Sequence, residues 1–267
     1  MTESKLIKLD SILRDLGSFV IGFSGGLDSS FLVHRASLLN DIKFMAVTIH
    51  TPYVPERELR ESKEFASQYK INHEIIEVPF PDNIRQNPEG RCYLCKKTLF
   101  GIIVGYAAKN GYRYIADGTN TDDKNDYRPG LKALREMNIR SPLAEAGLSK
   151  REIRELAQKA GLSFWDKPAL SCLLTRIPNN TAITEGMLGM IEKAEDHLHE
   201  KGYPGTRVRM HGDIARIECD PRYIQGLVND PELGSIVAKL KNIGFRYVSL
   251  DLEGYRTGSM NPTDPVK

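Results

Sequence analysis

The sequence contains no long hydrophobic run, no signal-peptide pattern and no large excess of charge of either sign. No apolar stretch approaches the ~18–20 residues needed to cross a bilayer, and the opening Met-Thr-Glu-Ser-Lys is not a secretory leader. The formal net charge is +2, which is too small for a strong attraction to a polyanion. These absences predict a cytoplasmic protein with neither a membrane nor a nucleic acid as its partner.

Cysteine is scarce as well, with four residues in a chain of 267. In a reducing compartment, so few cysteines favour metal binding or catalysis over disulfides. The composition, 40% hydrophobic and 27% charged, is typical of a globular protein, and the length allows one large domain or two modest ones. The cysteines are therefore candidates for a functional centre.

The most informative stretch lacks the signatures of two common phosphate loops. An apolar run over 19–23 ends in Ser24-Gly25-Gly26, and an amphipathic segment follows at once with Leu27-Asp28-Ser29. This order predicts a strand, a tight turn and a helix N-terminus, whose unpaired N–H groups and dipole favour a phosphate. No lysine follows the glycines as in a Walker A loop, and G-x-G-x-x-G is absent here. Asp28, beside the expected phosphate, is suited to hold Mg²⁺.

Strands and helices alternate through the first two thirds of the chain. Apolar segments at 44–49, 73–78 and 114–116 predict strands, and we expect helices from Pro55 to about Tyr69 and from Arg91 to Asn110. This alternation predicts βαβ units and a parallel sheet, with ligands gathering at the carboxyl ends of the strands.

A second set of polar residues follows the strand at 114–116. Asp117-Gly118-Thr119 begins a loop that also contains Asp122 and Asp123, and Arg128 follows as a cation. Because parallel strands end at one edge of the sheet, we expect Asp117 to help hold Mg²⁺. Asp122 and Asp123 either join that ion or cap the turn.

Three cysteines fall in segments where chemistry explains them better than packing. Cys92-x-x-Cys95 stands at the predicted start of a helix, which points both sulfurs toward one centre and favours thiolates. A pair of small buried side chains is the alternative. Cys172 lies in an aperiodic loop over 165–178, together with Arg176. We expect Arg176 to depress the pKa of Cys172 and to pair with a phosphate, and we take Cys172, Arg176 and Asp28 as the candidate catalytic residues.

The pattern changes at about Asn179. A predicted helix over 184–201 precedes a hairpin, and further helices and a strand over 247–251 complete an α+β region. The expected fold is therefore α/β, with a parallel-sheet domain over residues 1–178 and a smaller C-terminal α+β domain over 179–267.

The predicted hairpin has strands over 206–211 and 214–219. Alternation places its apolar residues and Cys219 inward, and it places Arg207 and Arg209 on an open face with Arg216 and Glu218. Several arginines beside one acid form a candidate site for the phosphate of a substrate. A solvated sheet face is the alternative.

Together, these segments resemble the PP-loop ATP pyrophosphatases, whose SGGxDS motif matches residues 24–29. Within that superfamily the chain is similar to the LarE family. The matching segments, in order, are 23–29, 117–120, 122–123, 128–130, 140–143, 168–172, 176–178, 207–209 through 218, and 254–259. The resemblance implies an adenine nucleotide alpha hydrolase-like fold that cleaves ATP, with Mg²⁺, to AMP and pyrophosphate. The residues that it assigns to ATP are Ser24, Gly25, Gly26, Asp28, Ser29, Gly118 and Thr119.

The resemblance also implies a role in nickel-pincer nucleotide biosynthesis. Members of the family adenylate a carboxylate of a pyridinium-3,5-dicarboxylate mononucleotide and convert it to a thiocarboxylate. The sulfur comes from a cysteine that is left as dehydroalanine, and Cys172 is the matching residue. A small-molecule nucleotide is the implied substrate, and we expect a homo-oligomer.

The chain departs from the single-cysteine pattern of that family. Cys92, Cys95 and Cys172 make a three-thiolate set similar to that of iron–sulfur sulfurtransferases in the same superfamily. The resemblance implies a 4Fe–4S cluster with one iron free to carry a hydrosulfide. Zinc with a fourth ligand is the alternative metal.

Other functions compete with this one. Iron–sulfur-dependent tRNA thiolation also combines a PP-loop with three cysteines, but the chain has a low net charge and no clear basic RNA-binding domain. A PP-loop amidating synthetase would leave the cysteines unexplained. A non-enzymatic nucleotide- or cluster-binding protein is excluded if the chain consumes ATP.

Overall fold

The computed structural model describes residues 2–125, 129–168 and 170–256. By its internal contacts the chain divides into two units, Met1–Ile84 with Gly90–Leu170 and Arg85–Glu89 with Ser171–Lys267. The second unit thus includes a short segment that lies within the first unit's sequence. The domain limits at 178 and 179 stay a prediction.

The first unit alternates strands and helices as the sequence predicts. Its elements are α1 (Thr2–Leu16), β1 (Ser18–Gly22), α2 (Leu27–Ser37), β2 (Lys43–His50), α3 (Glu56–Gln68), β3 (His73–Glu77), α4 (Arg91–Lys109), β4 (Tyr114–Ala116), α5 (Gly130–Glu136), α6 (Pro142–Ala146) and α7 (Lys150–Lys159). The strands form a parallel sheet in the order β3-β2-β1-β4. The predicted α/β class with a parallel sheet is confirmed.

The strand order positions the site. From β1 the chain moves outward through β2 to β3 and then returns to place β4 on the other side of β1. The strand order therefore reverses between β1 and β4, and the carboxyl ends of strands at such a switch point are where ligands bind in open parallel sheets.

Alternation along β1 explains the two layers that cover the sheet. Phe19 and Ile21 pack with α1, α2, α6 and α7 in one apolar cluster, whereas Val20 packs with Ile103 and Ala107 of α4 in another. All three β1 side chains are fully buried. Because successive strand residues point to opposite faces, β1 is fixed from both sides.

The second unit is an α+β arrangement. Its elements are α8 (Glu185–Glu200), β5 (Arg207–His211), β6 (Ile214–Glu218), α9 (Pro221–Val228), α10 (Leu233–Ile243) and β7 (Tyr247–Leu250). An antiparallel hairpin of β5 and β6 is extended by β7, which runs parallel to β6. Within the described parts of the chain, no helix is long and apolar enough to cross a bilayer.

Candidate active site

The phosphate loop joins the carboxyl end of β1 to the start of α2. Gly25 has a φ of +71°, a left-handed conformation that glycine adopts without strain. Gly26 caps α2 with extended backbone and no side-chain hydrogen bond. The hydroxyl oxygens of Ser24 and Ser29 lie 3.1 Å apart, and Ser29 Oγ donates to the Gly26 carbonyl at 3.2 Å. A helix N-terminus without a side-chain cap is the arrangement that binds phosphate groups.

Lys167 supports this loop from a distant part of the chain. Its Nζ donates to the Gly25 carbonyl at 2.8 Å and pairs with Glu61 of α3. The two contacts connect the phosphate loop to α3 through one side chain. Nothing in the local sequence around Lys167 predicts it, because both partners lie more than a hundred residues earlier.

Gly118 brings the loop after β4 directly against the phosphate loop. A Cβ built at this position would lie 2.8 Å from Ser29 N and 3.0 Å from Ser29 Cα. Backbone atoms cannot move aside as a flexible side chain can, so the close approach requires glycine. The two segments that the resemblance assigns to ATP, around Ser29 and Gly118, therefore touch.

Asp28 lies in the first turn of α2, where a bound phosphate would be. Its Oδ1 is buried, and within the described residues no hydrogen bond of good geometry reaches it, although the nearby Asn120 side chain acts to lower the Asp28 pKa. Its Oδ2 lies 3.5 Å from Lys150 Nζ. Burial raises the pKa of Asp28 above its ordinary value; Lys150 counteracts this shift, and Asp123 adds to it. A carboxylate oxygen left without a donor fits a metal ion that arrives with the nucleotide.

Lys150 lies at the site although no sequence motif predicted it. It is the first residue of α7, which Ser149 and Glu152 begin with a reciprocal capping box. The Ser-x-x-Glu pattern was the available signal, since it fixes where the helix starts and therefore where Lys150 points. The backbone N–H of Lys150 donates to Asp122 Oδ2 at 2.9 Å.

The three aspartates of the loop after β4, Asp117, Asp122 and Asp123, make different contacts. Asp117 is buried and accepts hydrogen bonds from Thr119 and, at 2.7 Å, from Ser141 Oγ. Asp123 accepts from Asn120 N at 3.1 Å, and it is close enough to Asp28 to influence its pKa. Asp122 caps α7 through Lys150. Asp117 thus stabilises its own turn, and its predicted role as a Mg²⁺ ligand stays a prediction. Arg128 lies outside the described residues.

Cys92 and Cys95 lie in the first turn of α4, in the same unit as the phosphate loop. Cys92 is exposed and Cys95 is half-buried, with its Sγ 3.1 Å from Tyr53 Oη. Burial raises the pKa of Cys95, and the Tyr53 hydroxyl opposes that shift. Desolvation of Cys95 thus acts against the thiolate that we expected the helix terminus to favour.

The start of α4 also lies near the carboxyl end of β4. Lys96 Nζ is 4.0 Å from Asp117 Oδ2, at the end of β4. A Cβ at Gly130 would meet Lys96 Cγ at 3.1 Å and the Cys92 carbonyl at 3.4 Å. Within the first unit, the Cys-x-x-Cys turn and the loop after β4 are therefore neighbours.

Cys172 lies in the second unit, where it caps a 3₁₀ turn over Leu173–Arg176. The turn lies within the segment 165–178, for which no periodicity was found. Thr175 N and Thr175 Oγ1 both donate to the Cys172 carbonyl, at 3.1 and 2.9 Å. The residue that the resemblance assigns to sulfur transfer is thus held on a short, hydrogen-bonded turn.

Arg176 fixes the segment over residues 171–178, the Cys172 turn, from inside the second unit. Its side chain is 1% exposed and makes a bidentate ion pair with Glu195 of α8, at 2.8 and 3.0 Å. Its Nη1 donates to the carbonyls of Ser171 and Cys172, at 3.0 and 3.2 Å. Burial works to raise the pKa of Glu195, but Arg176, together with Arg207 and the Val208 N–H, more than offsets it and holds that pKa below its ordinary value. Arg176 therefore stabilises the Cys172 turn. That it lowers the pKa of the Cys172 thiol and pairs with a phosphate stays a prediction.

The hairpin arginines share one face, but that face is not open. Arg207 pairs in register with Glu218 and Arg209 with Arg216, as alternation predicts. The exposed fraction is 4% for both Arg207 and Arg209 and 0% for Glu218, so the expected open face is wrong. Arg209 pairs with Glu218 and donates from Nη1 to the Thr175 carbonyl at 2.9 Å. Alternation identifies a face of the sheet but cannot show that the Cys172 turn covers it.

Arg207 differs from Arg209 in its surroundings. Its guanidinium lies over the ring of Tyr255, 5.5 Å from the centroid, and its charge helps to lower the pKa of Glu195. The Arg209 guanidinium bonds a carboxylate and a carbonyl, whereas the contact described for Arg207 is with an aromatic ring. The role of both arginines as phosphate ligands stays a prediction.

No group of three or more His, Cys, Asp or Glu side chains in the described ranges gathers closely enough to hold a metal ion. Mg²⁺ in nucleotide sites uses one or two carboxylates together with phosphate oxygens, so one carboxylate such as Asp28 would suffice as its protein ligand. A cluster or zinc ion would need more protein donors, and the role of Cys92 and Cys95 as metal ligands stays a prediction.

Comparison with known proteins places the chain in a family. No family model matches the sequence. An uncharacterized protein of Synechocystis sp. is 41% identical over 264 residues, which cover 98% of each chain. An uncharacterized protein of Methanocaldococcus jannaschii is 36% identical over 257 residues, 95% of this chain and 98% of that one.

A third relative has an assigned activity. The pyridinium-3,5-bisthiocarboxylic acid mononucleotide synthase of Lactiplantibacillus plantarum is 35% identical over 265 residues, 97% of this chain and 95% of the relative. The similarity therefore extends through both units and includes the phosphate loop and the Cys172 turn. This chain belongs to the LarE family, the family of that synthase.

Proposed function

We propose that the chain is an ATP-dependent sulfur transferase of nickel-pincer nucleotide biosynthesis. It adenylates a carboxylate of a pyridinium dicarboxylate mononucleotide, releases pyrophosphate, and converts that carboxylate to a thiocarboxylate. The observation that carries the proposal is the glycine turn beside the unpaired Oδ1 of Asp28, in a chain that aligns along nearly its whole length with a bisthiocarboxylic acid mononucleotide synthase.

In the first step, the substrate carboxylate attacks the α-phosphorus of ATP. The bond between the α-phosphorus and the bridging oxygen breaks, and pyrophosphate leaves with the electron pair. The N–H groups at the start of α2 hold the leaving pyrophosphate, and Lys150 is a cation 3.5 Å from Asp28. Mg²⁺ bound at Asp28 would neutralise charge on the leaving group. The product is an acyl adenylate, whose AMP is a much better leaving group than an oxide.

In the second step, the sulfur of Cys172 attacks the acyl carbon and AMP departs. Loss of the Cys172 Cα proton and cleavage of its Cβ–S bond then leave dehydroalanine in the protein and a thiocarboxylate on the nucleotide. The electrons balance without an external oxidant, because the elimination is redox-neutral. Arg176 supports this step by holding the Cys172 carbonyl, as its hydrogen bonds indicate.

The three-cysteine set supports a refinement of this scheme. Cys92, Cys95 and Cys172 would hold a 4Fe–4S cluster, which supplies an open iron site for sulfide and spares the protein's own sulfur. Cys92 and Cys95 stand three residues apart on one helical turn, a spacing that suits a shared ligand. No step above depends on the cluster.

Product analysis tests the ATP chemistry directly. We expect the protein, ATP, Mg²⁺ and the pyridinium dicarboxylate mononucleotide to give AMP and pyrophosphate in equal amounts. Asp28→Asn keeps the side-chain volume and should abolish pyrophosphate release, whereas Asp41→Asn, at an exposed acid in the same unit, should leave it unchanged. Formation of ADP and phosphate, or no release with any carboxylate acceptor, would refute the assignment.

The number of sulfur atoms that each chain delivers tests the second step and the cluster refinement. Protein purified without oxygen is analysed for iron and sulfide, and its mass is measured after turnover. If Cys172 acts alone, Cys92→Ser/Cys95→Ser still delivers one sulfur and loses the mass of H₂S at Cys172. If the cluster acts, that variant is inactive and the wild type delivers several sulfurs when given sulfide. Thiolation of tRNA in place of the mononucleotide would favour the rival enzyme class.

A further inference from the structure

The segment Arg85–Glu89 carries a buried asparagine that bonds the Cys172 turn. Asn87 is 0% exposed, although its sequence surroundings are those of a polar loop. Its Nδ2 donates to the carbonyls of Ile177 and Pro178, each at 3.0 Å, and reaches that of Leu174 at 3.5 Å. All of these atoms belong to the second unit.

The orientation of this amide is fixed by its surroundings. If it were flipped, Oδ1 would face the same carbonyl oxygens, and acceptors would oppose acceptors. In the observed orientation, Oδ1 is buried and has no hydrogen-bond partner in the parts of the chain that the structure describes. An unpaired buried carbonyl oxygen destabilises the folded state. Asn87 is therefore present although its buried Oδ1 is destabilising, which points to a role for the hydrogen bonds that its Nδ2 donates.

The backbone at this position also favours asparagine. The φ of Asn87 is +50°, in the left-handed region that side chains other than those of Asn, Asp and Gly rarely adopt. Its carbonyl accepts from Asn180 N at 2.9 Å, and Arg85 O accepts from Ile183 N at 2.9 Å. The segment is thus anchored by its backbone independently of the amide.

Three side chains together satisfy the carbonyls around Cys172. Arg176 bonds those of Ser171 and Cys172, and Arg209 bonds that of Thr175. Asn87 bonds the carbonyls at the far end of the turn. Irregular backbone that is hydrogen-bonded at both ends is confined to one conformation, which is what a reacting group requires for an attack at fixed geometry.

We propose that Asn87 is a positioning residue for sulfur transfer, which it serves by clamping the turn that presents Cys172. This inference rests on the proposed role of Cys172. It assigns to Asn87 an effect on the sulfur step alone, because adenylation uses the phosphate loop of the other unit.

Asn87→Gly tests the proposal because glycine keeps the left-handed backbone and removes only the amide. Asn180→Gly is the matched control, since Asn180 also has a positive φ, of 59°, and is exposed. We expect hydrogen exchange over residues 171–178 to rise at least tenfold in Asn87→Gly and to stay unchanged in Asn180→Gly. Sulfur transfer per adenylate should fall at least tenfold, while pyrophosphate release stays within twofold of wild type.

Unchanged exchange in Asn87→Gly would overturn the clamp, and an equal fall in pyrophosphate release and sulfur transfer would overturn its selectivity for the sulfur step. If glycine prevents folding, Asn87→Asp, which tolerates the same φ, replaces it with the same expected split between the two rates. Cys172→Ser separates the two proposals. Normal sulfur transfer by that variant would refute the role of Cys172, while the exchange measurement still judges the clamp.

Discussion

The buried pair of Arg176 and Glu195 should be among the most sensitive points of the second unit. Both side chains are at most 5% exposed, and Glu195 also accepts from Val208 N at 2.9 Å. Removing one partner of a buried pair leaves an uncompensated charge, at a cost of about 3–5 kcal/mol. Glu195→Ala should therefore lower the opening free energy of α8 by about that amount. Glu232→Gln, at the exposed pair with Lys201, should change it by less than about 1 kcal/mol.

Native-state hydrogen exchange of the α8 amides is the suitable assay, because a chain with two units need not unfold in one step. A loss below about 1 kcal/mol in Glu195→Ala would refute the reasoning, since the pair would then not be buried as described. The folded-state pKa of Glu195 lies below its unfolded value, so its contribution to stability is present above pH ~4.3 and is lost as the pH falls through the folded pKa.

The double variant Arg176→Met/Glu195→Leu separates stability from function. Replacing both charges with apolar groups is often neutral or stabilising by about 1–4 kcal/mol. The carbonyls of Ser171 and Cys172 nevertheless lose their guanidinium donor. We expect α8 to recover most of its protection while sulfur transfer stays impaired. Recovery of both together would show that Arg176 serves packing alone.

Three further predictions follow from single contacts. Burial lowers the pKa of His73 to about 4, so the folded first unit favours the neutral imidazole. The stability of this unit should therefore fall as the pH drops from 6.5 to about 4, and His73→Gln should flatten that dependence in thermal melts. Gly118→Ala should weaken ATP binding at least tenfold in calorimetry with little change in the second unit, because its Cβ would strike Ser29 N at 2.8 Å; unchanged affinity would refute the contact. Arg209→Ala should lower the thermal stability of the second unit, because Glu218 and the Thr175 carbonyl lose a buried guanidinium donor; an unchanged melting temperature would contradict these contacts.

The elements that local patterns determine were predictable from the sequence. The run ending at Ser24 and the glycines after it identify a strand, a turn and a helix because each signal lies within a few residues of the next. The shared face of Arg207 and Glu218 followed from alternation in the same way. The parallel sheet followed from the order of strands and helices, because that order restricts the possible connections.

Features that depend on distant partners were not predictable. Whether Arg209 is buried depends on a turn that begins more than thirty residues earlier in the chain. Arg176 finds its carboxylate on α8, and Asn87 finds its carbonyl acceptors almost ninety residues later. A single sequence carries no periodicity for such contacts, so a buried asparagine in a polar loop looks like an exposed one.

Because Arg85–Glu89 belongs to the second unit but lies within the sequence of the first, the two units cannot be exchanged between homologues at a single position. The chain passes between units at 84/85, 89/90 and 170/171. A single crossover near residue 170 between two family members would therefore combine the Cys172 turn of one parent with the Asn87 amide of the other. Similarly, a fragment that begins at Ser171 would lack the donor for three of its carbonyls. The two units are thus not interchangeable modules, and functional chimeras should require residues 85–89 to come from the same parent as the C-terminal region.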